Sequence, residues 1–172
     1  MQLLPYRDTL PTVHPSAFIA PGGVVIGDVH IGQESSIWFG CVLRGDVNHI
    51  RVGARTNLQD GTVVHVTRRT HPTLIGDDIT IGHRVLLHGC TLHDRCFIGM
   101  GATLLDGVIV ESEAMLAAGA LVTPGKRIPA GELWGGTPAR FMRALTDEDR
   151  RFFQANVSNY VELGREYLST RL

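Results

Sequence analysis

Broken every six residues, the segment Leu92–Trp134 reads LHDRCF-IGMGAT-LLDGVI-VESEAM-LAAGAL-VTPGKR-IPAGEL-W. An apolar residue leads each block: Leu92, Ile98, Leu104, Val110, Leu116, Val122, Ile128 and then Trp134. A period of six matches neither the 3.6-residue period of a helix nor the simple alternation of a strand meander. It matches a parallel β-helix, in which each hexad makes one short strand and one corner. The leading side chain points into a prism, and a small residue or Gly permits the bend. Three hexads then complete one triangular coil, so residues about eighteen apart stack one strand spacing away.

Toward the N-terminus the same step links Ile19, Val25, Ile31, Ile37 and Leu43. A slip follows, and the count resumes at Val52, Leu58 and Val64. After a longer interruption it runs Ile75, Ile81 and Leu87, then only five residues to Leu92. Gly follows several leaders at once, as in Ile31-Gly32, Ile81-Gly82 and Ile98-Gly99. The stretch VTRRTHPTL at 66–74 is expected to be a loop extruded from one corner. Pro124, Pro129 and Gly135-Gly136-Thr137-Pro138 mark the end of the coil.

Beyond it, Thr146 followed by Asp147, Glu148 and Asp149 has the form of a capped helix start. Phe153, Val157, Tyr160, Gly164 and Leu168 lie at helical spacing and form one stripe, which needs a flat side of the prism to cover. The expected architecture is mainly β: one domain over 1–172, with a β-helix at about 13–140 and a helix at about 146–170 packed on it.

Composition agrees. Aromatics are only 6% while Gly reaches 20 residues, which suits short strands joined by tight turns. A net charge of −1 gives no broad attraction to nucleic acid or to an anionic membrane surface. No apolar run reaches membrane-spanning length, and MQLLPYRDTL lacks the basic-then-apolar order of a secretion signal. Cys41, Cys90 and Cys96 form no C-x-x-C and read as small apolar fillers, so the cytoplasm is the expected compartment.

Of eight histidines, His14, His30 and His49 read as surface or edge residues. His65, His88 and His93 each directly follow a leader (Val64, Leu87, Leu92) and so share one outward phase of the repeat. Outward side chains of one convex prism diverge, so a shared ion requires a second prism. Three neutral imidazoles with a fourth position open are the ligand set of a catalytic zinc; iron and cobalt suit the same ligands. The competing reading is three separate surface histidines. Asn57 and Gln59 flank the inward Leu58 and are expected to face out on the His65 side, with Gln59 suited to orient the ion's water. Arg44 is expected to pair with Asp46 or Asp60 across an interface.

The stretches VLRGDVNHIRVGARTNLQDGTVVH at 42–65 and IGHRVLLHGCTLHDRCFIGMGA at 81–102 resemble the γ-class carbonic anhydrases and their bacterial relatives in the hexapeptide-repeat superfamily. The resemblance runs from about Val13 to the final helix. It implies a left-handed β-helix and a homotrimer with three equivalent sites at subunit boundaries. His65 and His93 would come from one chain and His88 from its neighbour. Gln59 would match the residue bonded to the metal's water. Arg44, Asp46 and Asp60 would match charged residues joining subunits, with Arg44 near bicarbonate, and Tyr160 an aromatic hydroxyl near the site.

The implied activity is the reversible hydration of carbon dioxide to bicarbonate. Where the best-studied members carry an acidic loop after the first ligand and a glutamate just after Arg-Gly-Asp, this chain has VTRRTHPTL and Val47. Hydration is therefore expected to be slow or to pass its proton through His71. Three competing functions remain at this point: a metal-assisted acyl-CoA thioesterase or hydrolase, an acyltransferase of the same repeat class, and a trimeric scaffold without catalysis.

Overall fold

Every leading residue from Ile19 to Ile128 is buried, while Trp134 is only partly so. The computed structural model describes residues 2–170. Its leaders stack from coil to coil: Ile19 on Ile37, Ile37 on Leu58, Leu58 on Ile81, Ile81 on Ile98, Ile98 on Leu116 and Leu116 on Trp134. Each buried branched or long side chain contributes roughly 1.5–3 kcal/mol against exposure to water. Two positions before a leader the chain turns a corner, and a buried residue sits there too. Cys96, Ala102, Val108, Ala114 and Ala120 occupy that place in the regular half, and Cys41 and Cys90 occupy it elsewhere. All three cysteines are free and buried, as expected, and burial pushes the Cys41 thiol up to about 11 and the Cys90 thiol up to about 12.

The prism has three faces. The first carries the strands Phe18–Ile19, Ser36–Ile37, Asn57–Leu58, Thr80–Ile81, Phe97–Ile98, Met115–Leu116 and Glu132–Gly135, all parallel. The second carries Val63–His65, Leu86–His88, Thr103–Leu104 and Leu121–Val122. The third carries Thr73–Ile75, Thr91–Leu92, Ile109–Val110 and Arg127–Ile128. Two long strands, Val24–Ile31 and Val42–Val52, run around the corner between the second and third faces and join them into one sheet.

The irregular points of the count have distinct structural causes. Gly27 pairs with Gly45 and Val29 with Ile50, so the single residue Asp28 faces the four residues Asp46, Val47, Asn48 and His49. This bulge absorbs the slip after Leu43. The interruption at 66–74 is a corner loop between His65 and Thr73, closed by a Thr67–His71 bridge. The five-residue step from Leu87 to Leu92 is a corner shortened by one residue. Two elements went unread in the sequence. Gln2–Leu4 adds a parallel edge beside Val24–Ile26, and Arg140–Ala144 turns back antiparallel on Glu132–Gly135.

The C-terminal helix, Asp147–Ser169, begins as expected with Thr146 as N-cap. The Asp149 backbone N–H donates to the Thr146 hydroxyl, and the Thr146 N–H donates to the Asp149 carboxylate. Phe153, Val157 and Gly164 are buried against the first face, and Phe153 stacks on Phe97 with ring centroids 5.1 Å apart. Leu168 departs from the expected stripe and is exposed; Tyr167 instead joins Tyr160, Trp38 and Phe18 in an aromatic cluster. The first face is thus covered, and the second and third lie open. No helix among the described residues is long and apolar enough to cross a membrane.

Candidate metal centre

Register brings two of the three expected ligands together. Leu86–His88 lies beside Val63–His65 with Leu87 opposite Val64, so His88 falls opposite His65 on the next rung. His65 Nδ1 and His88 Nε2 are 3.1 Å apart. Each ring's other nitrogen meets a carboxylate: His65 Nε2–H donates to Asp46 Oδ1 at 3.1 Å, and His88 Nδ1–H donates to Asp106 Oδ1 at 2.7 Å.

That arrangement settles the tautomers. An ionised carboxylate only accepts, so the protons of the neutral rings lie on the outer nitrogens. The two inner nitrogens then present lone pairs to each other at hydrogen-bond distance, which is repulsive unless a cation stands between or beside them. Two imidazoles bound tetrahedrally to one zinc at 2.0–2.1 Å would place their nitrogens ~3.3 Å apart. The donor set fits a divalent ion. Burial lowers the His65 imidazole below its ordinary value despite the hydrogen bond to Asp46, which keeps that ring neutral and able to ligate at pH 7.

Both carboxylates are ionised. Burial opposes the charge on Asp46, but hydrogen bonds from Arg44, His65 and the Val47 backbone outweigh it and hold the carboxyl below its usual range. Asp106 behaves likewise: burial opposes its charge, and the Thr67 hydroxyl and His88 hold it low. Asp46 is the first residue of the bulge, so the slip in the count is what delivers it to His65.

The third expected ligand is elsewhere. His93 follows Leu92 on the third face, exposed. Among the described residues no three His, Cys, Asp or Glu side chains of one chain group so as to hold an ion. Within one chain the close pair is His65 with His88, where the resemblance implies His65 with His93. The reason is the register: His65 and His88 end adjacent strands of one face, and His93 lies one strand further around the coil.

Gln59 and Asn57 also differ from expectation. They lie on the first face, beneath the helix, and not on the His65 side. Gln59 donates to Asn57, Asn57 to Thr80, and Thr80 to Asn156 of the helix, a buried polar ladder. Gln59 and Tyr160 share a groove of about 330 Å³ walled by Phe97, Met100 and Phe152 and flanked by His83. Tyr160 rests edge-on against Trp38, and burial pushes its phenol above the ordinary value. Arg44 pairs with Asp46 inside the chain, and Asp60 pairs with His83 at 3.0 Å. His71 sits in the loop with its Nδ1 at 3.0 Å from the Thr70 hydroxyl, and its charged form lowers Asp106. Asp106, Thr67 and His83 went unread; stepping one coil of eighteen from His88 finds Asp106.

A model of the family described as "Hexapeptide repeat of succinyl-transferase" matches residues 72–104 and 90–124. The chain is 58% identical over 165 residues to "Gamma carbonic anhydrase 1, mitochondrial" of Arabidopsis thaliana, covering 93% of this chain and 60% of that protein. It thus spans about 60% of the length of that relative. To "Probable carbonic anhydrase" of Methanocaldococcus jannaschii it is 43% identical over 145 residues, covering 84% of this chain and 91% of that one. A crystal structure of a hexapeptide transferase family protein from Anaplasma phagocytophilum superposes with a TM-score of 0.93 at 48% identity, covering 96% of this chain and 98% of that one.

Proposed function

This chain belongs to the gamma carbonic anhydrase family of hexapeptide-repeat proteins, and we propose that it hydrates carbon dioxide reversibly at a divalent metal held where copies of the chain meet. The observation that carries the reading is the His65–His88 pair, two rings each fixed by a carboxylate, with their facing nitrogens 3.1 Å apart. Among the described residues one chain brings only that pair together, so a histidine of a neighbouring copy completes the set of His65, His88 and His93 in a homotrimer with three such sites. The second face carries outward Val42, Val63, Leu86 and Leu121, with Val63 39% exposed, and leaves an apolar surface for that copy.

Zinc is the expected ion; iron and cobalt suit the same donors. When bound, the ion supplies the lowering of water's pKa from 15.7 to about 7 on which hydration depends. The chain's own residues do the rest. Asp46 and Asp106 keep the ring protons on the outer nitrogens. Arg44, its guanidinium partly exposed beside Asp46, offers positive charge to the bicarbonate product. Gln59 and Tyr160 line an apolar groove that suits an uncharged, poorly hydrated substrate. His71, next to Asp106, carries the proton outward or hydration stays slow. The compartment we propose is the cytoplasm.

The test measures oligomer mass, metal content and stopped-flow hydration on one sample, with His88→Ala alongside. A metal-loaded trimer whose hydration disappears in the variant is the expected result; a metal-free monomer, or equal rates, refutes the reading. A second reading, hydrolysis of an acyl thioester, has one observation in its favour, the Phe97–Met100–Phe152 wall that would hold an acyl chain. Hydrolysis of acyl-CoAs without hydration would select it.

A further inference from the structure

The two irregular features around the histidine pair are bonded to each other. The Asn48 side-chain amide of the bulge donates to the Thr67 carbonyl of the corner loop at 3.0 Å. From the same Thr67, the hydroxyl donates to Asp106 Oδ2 at 2.7 Å, while Asp106 Oδ1 accepts from His88 at 2.7 Å. The far end of the loop is tied as well: the Thr73 hydroxyl donates to the His65 carbonyl at 2.6 Å and accepts from the Gly89 N–H at 3.0 Å. A circuit results, running Arg44–Asp46–His65, across to His88–Asp106–Thr67, and back through Asn48 to the bulge.

Two features of this circuit exceed what a corner loop needs. Thr67 reaches 39 residues along the chain, to the coil beyond the one its loop begins. Asp106 uses both carboxylate oxygens, one on the loop and one on the ring, so its plane cannot rotate without breaking a charge-assisted bond. We infer that the 66–72 insertion is a clip, in which Thr67 locks Asp106 and Asp106 in turn sets the tautomer and orientation of His88. Thr67 and Asp106 are thus positioning residues, and the loop's first task is mechanical. The inference rests on the metal reading for its consequence, but the tautomer it assigns exists without metal.

The test uses the full-length protein, metal-free, with its histidine rings labelled with ¹⁵N. At pH 8, His88 is expected to carry its proton on Nδ1. Asp106→Ala and Thr67→Val should both redistribute that proton toward Nε2, and Thr67→Ser should restore it. Cobalt(II) affinity, measured by competition with a chelator, should fall about 10- to 100-fold in Asp106→Ala and about tenfold in Thr67→Val. Thermal unfolding of each variant confirms that it folds. A His88 ring unchanged in both variants overturns the clip whatever the metal affinity does. So does Thr67→Ser behaving like Thr67→Val. If the wild type binds no cobalt, the proposed function falls, and the ring signal still decides the clip.

Discussion

Two halves of the coil are built from the same hexad and do different work. From Leu92 to Trp134 the count is unbroken, rungs stack eighteen residues apart, and every leader through Ile128 is a core residue. Between Leu43 and Leu92 the count breaks three times, and each break lies beside the histidine pair or the expected third ligand. The bulge delivers Asp46, the corner loop delivers Thr67 and His71, and the shortened corner sets where His93 emerges. Asp106 is the one residue the regular half lends to the pair. A regular repeat puts equivalent side chains at equivalent places, pointing away from one another along an even ladder. Departures from the period are what allow unlike groups to converge.

The largest expected effect tests whether chemistry and stability divide as the halves do. His65→Ala should bind no metal and show only background hydration, while its metal-free form keeps its unfolding free energy in urea to within roughly 0.5 kcal/mol. A large loss of metal-free stability would show that the interrupted half is structural after all. The converse change, Leu104→Ala in the regular half, removes a fully buried leader and should cost about 2–5 kcal/mol. Hydration per folded molecule should persist below its lowered melting temperature.

A matched pair of glycine changes sharpens the contrast. A Cβ at Gly99 would meet the Ala118 backbone nitrogen at 2.4 Å, and one at Gly45 would meet the Asp28 carbonyl oxygen at 2.6 Å. Gly99→Ala and Gly45→Ala should each cost roughly 1–3 kcal/mol. Only Gly45→Ala should also weaken cobalt binding, because it displaces Asp46; equal affinities would break the comparison. The smallest effect lies outside both halves, at the helix start. Thr146→Ala should cost about 1 kcal/mol.

In the same cap, Arg143 and the Thr146 N–H hold the Asp149 carboxyl well below its ordinary range. The folded carboxyl stays charged where the unfolded one, near 3.9, takes up a proton. The cap's contribution is therefore complete above about pH 5 and declines as the pH falls below it. Circular dichroism at 222 nm should show the acid-side loss in the wild type, and a smaller one in Asp149→Asn.

Much of this was legible beforehand. Leaders, corner loop, Thr146 cap and the burial of Phe153, Val157 and Gly164 all follow from short-range pattern. The expectation for Gln59 failed because phase within a hexad says inward or outward but not which of three faces, and the helix covers the one Gln59 occupies. Leu168 failed for a related reason: the last turn presents Tyr167, one residue earlier, to Phe18 and Trp38, and Leu168 faces away. Asp60 has His83 as its partner in the chain because both lie at the same corner on adjacent coils, a proximity that 23 residues of separation hide.

Period, strand direction and the inward side of each hexad are properties of a few adjacent residues, and the amino-acid order alone determined them. Which side chains meet across rungs depends on how many residues each coil spends on its corners, and only the closed coil decided that. His65 and His88 touch because the corner loop lengthens the turn between them by the amount that returns Leu87 to Val64. Contact between distant groups is a sum over every insertion between them, and no local stretch contains that sum.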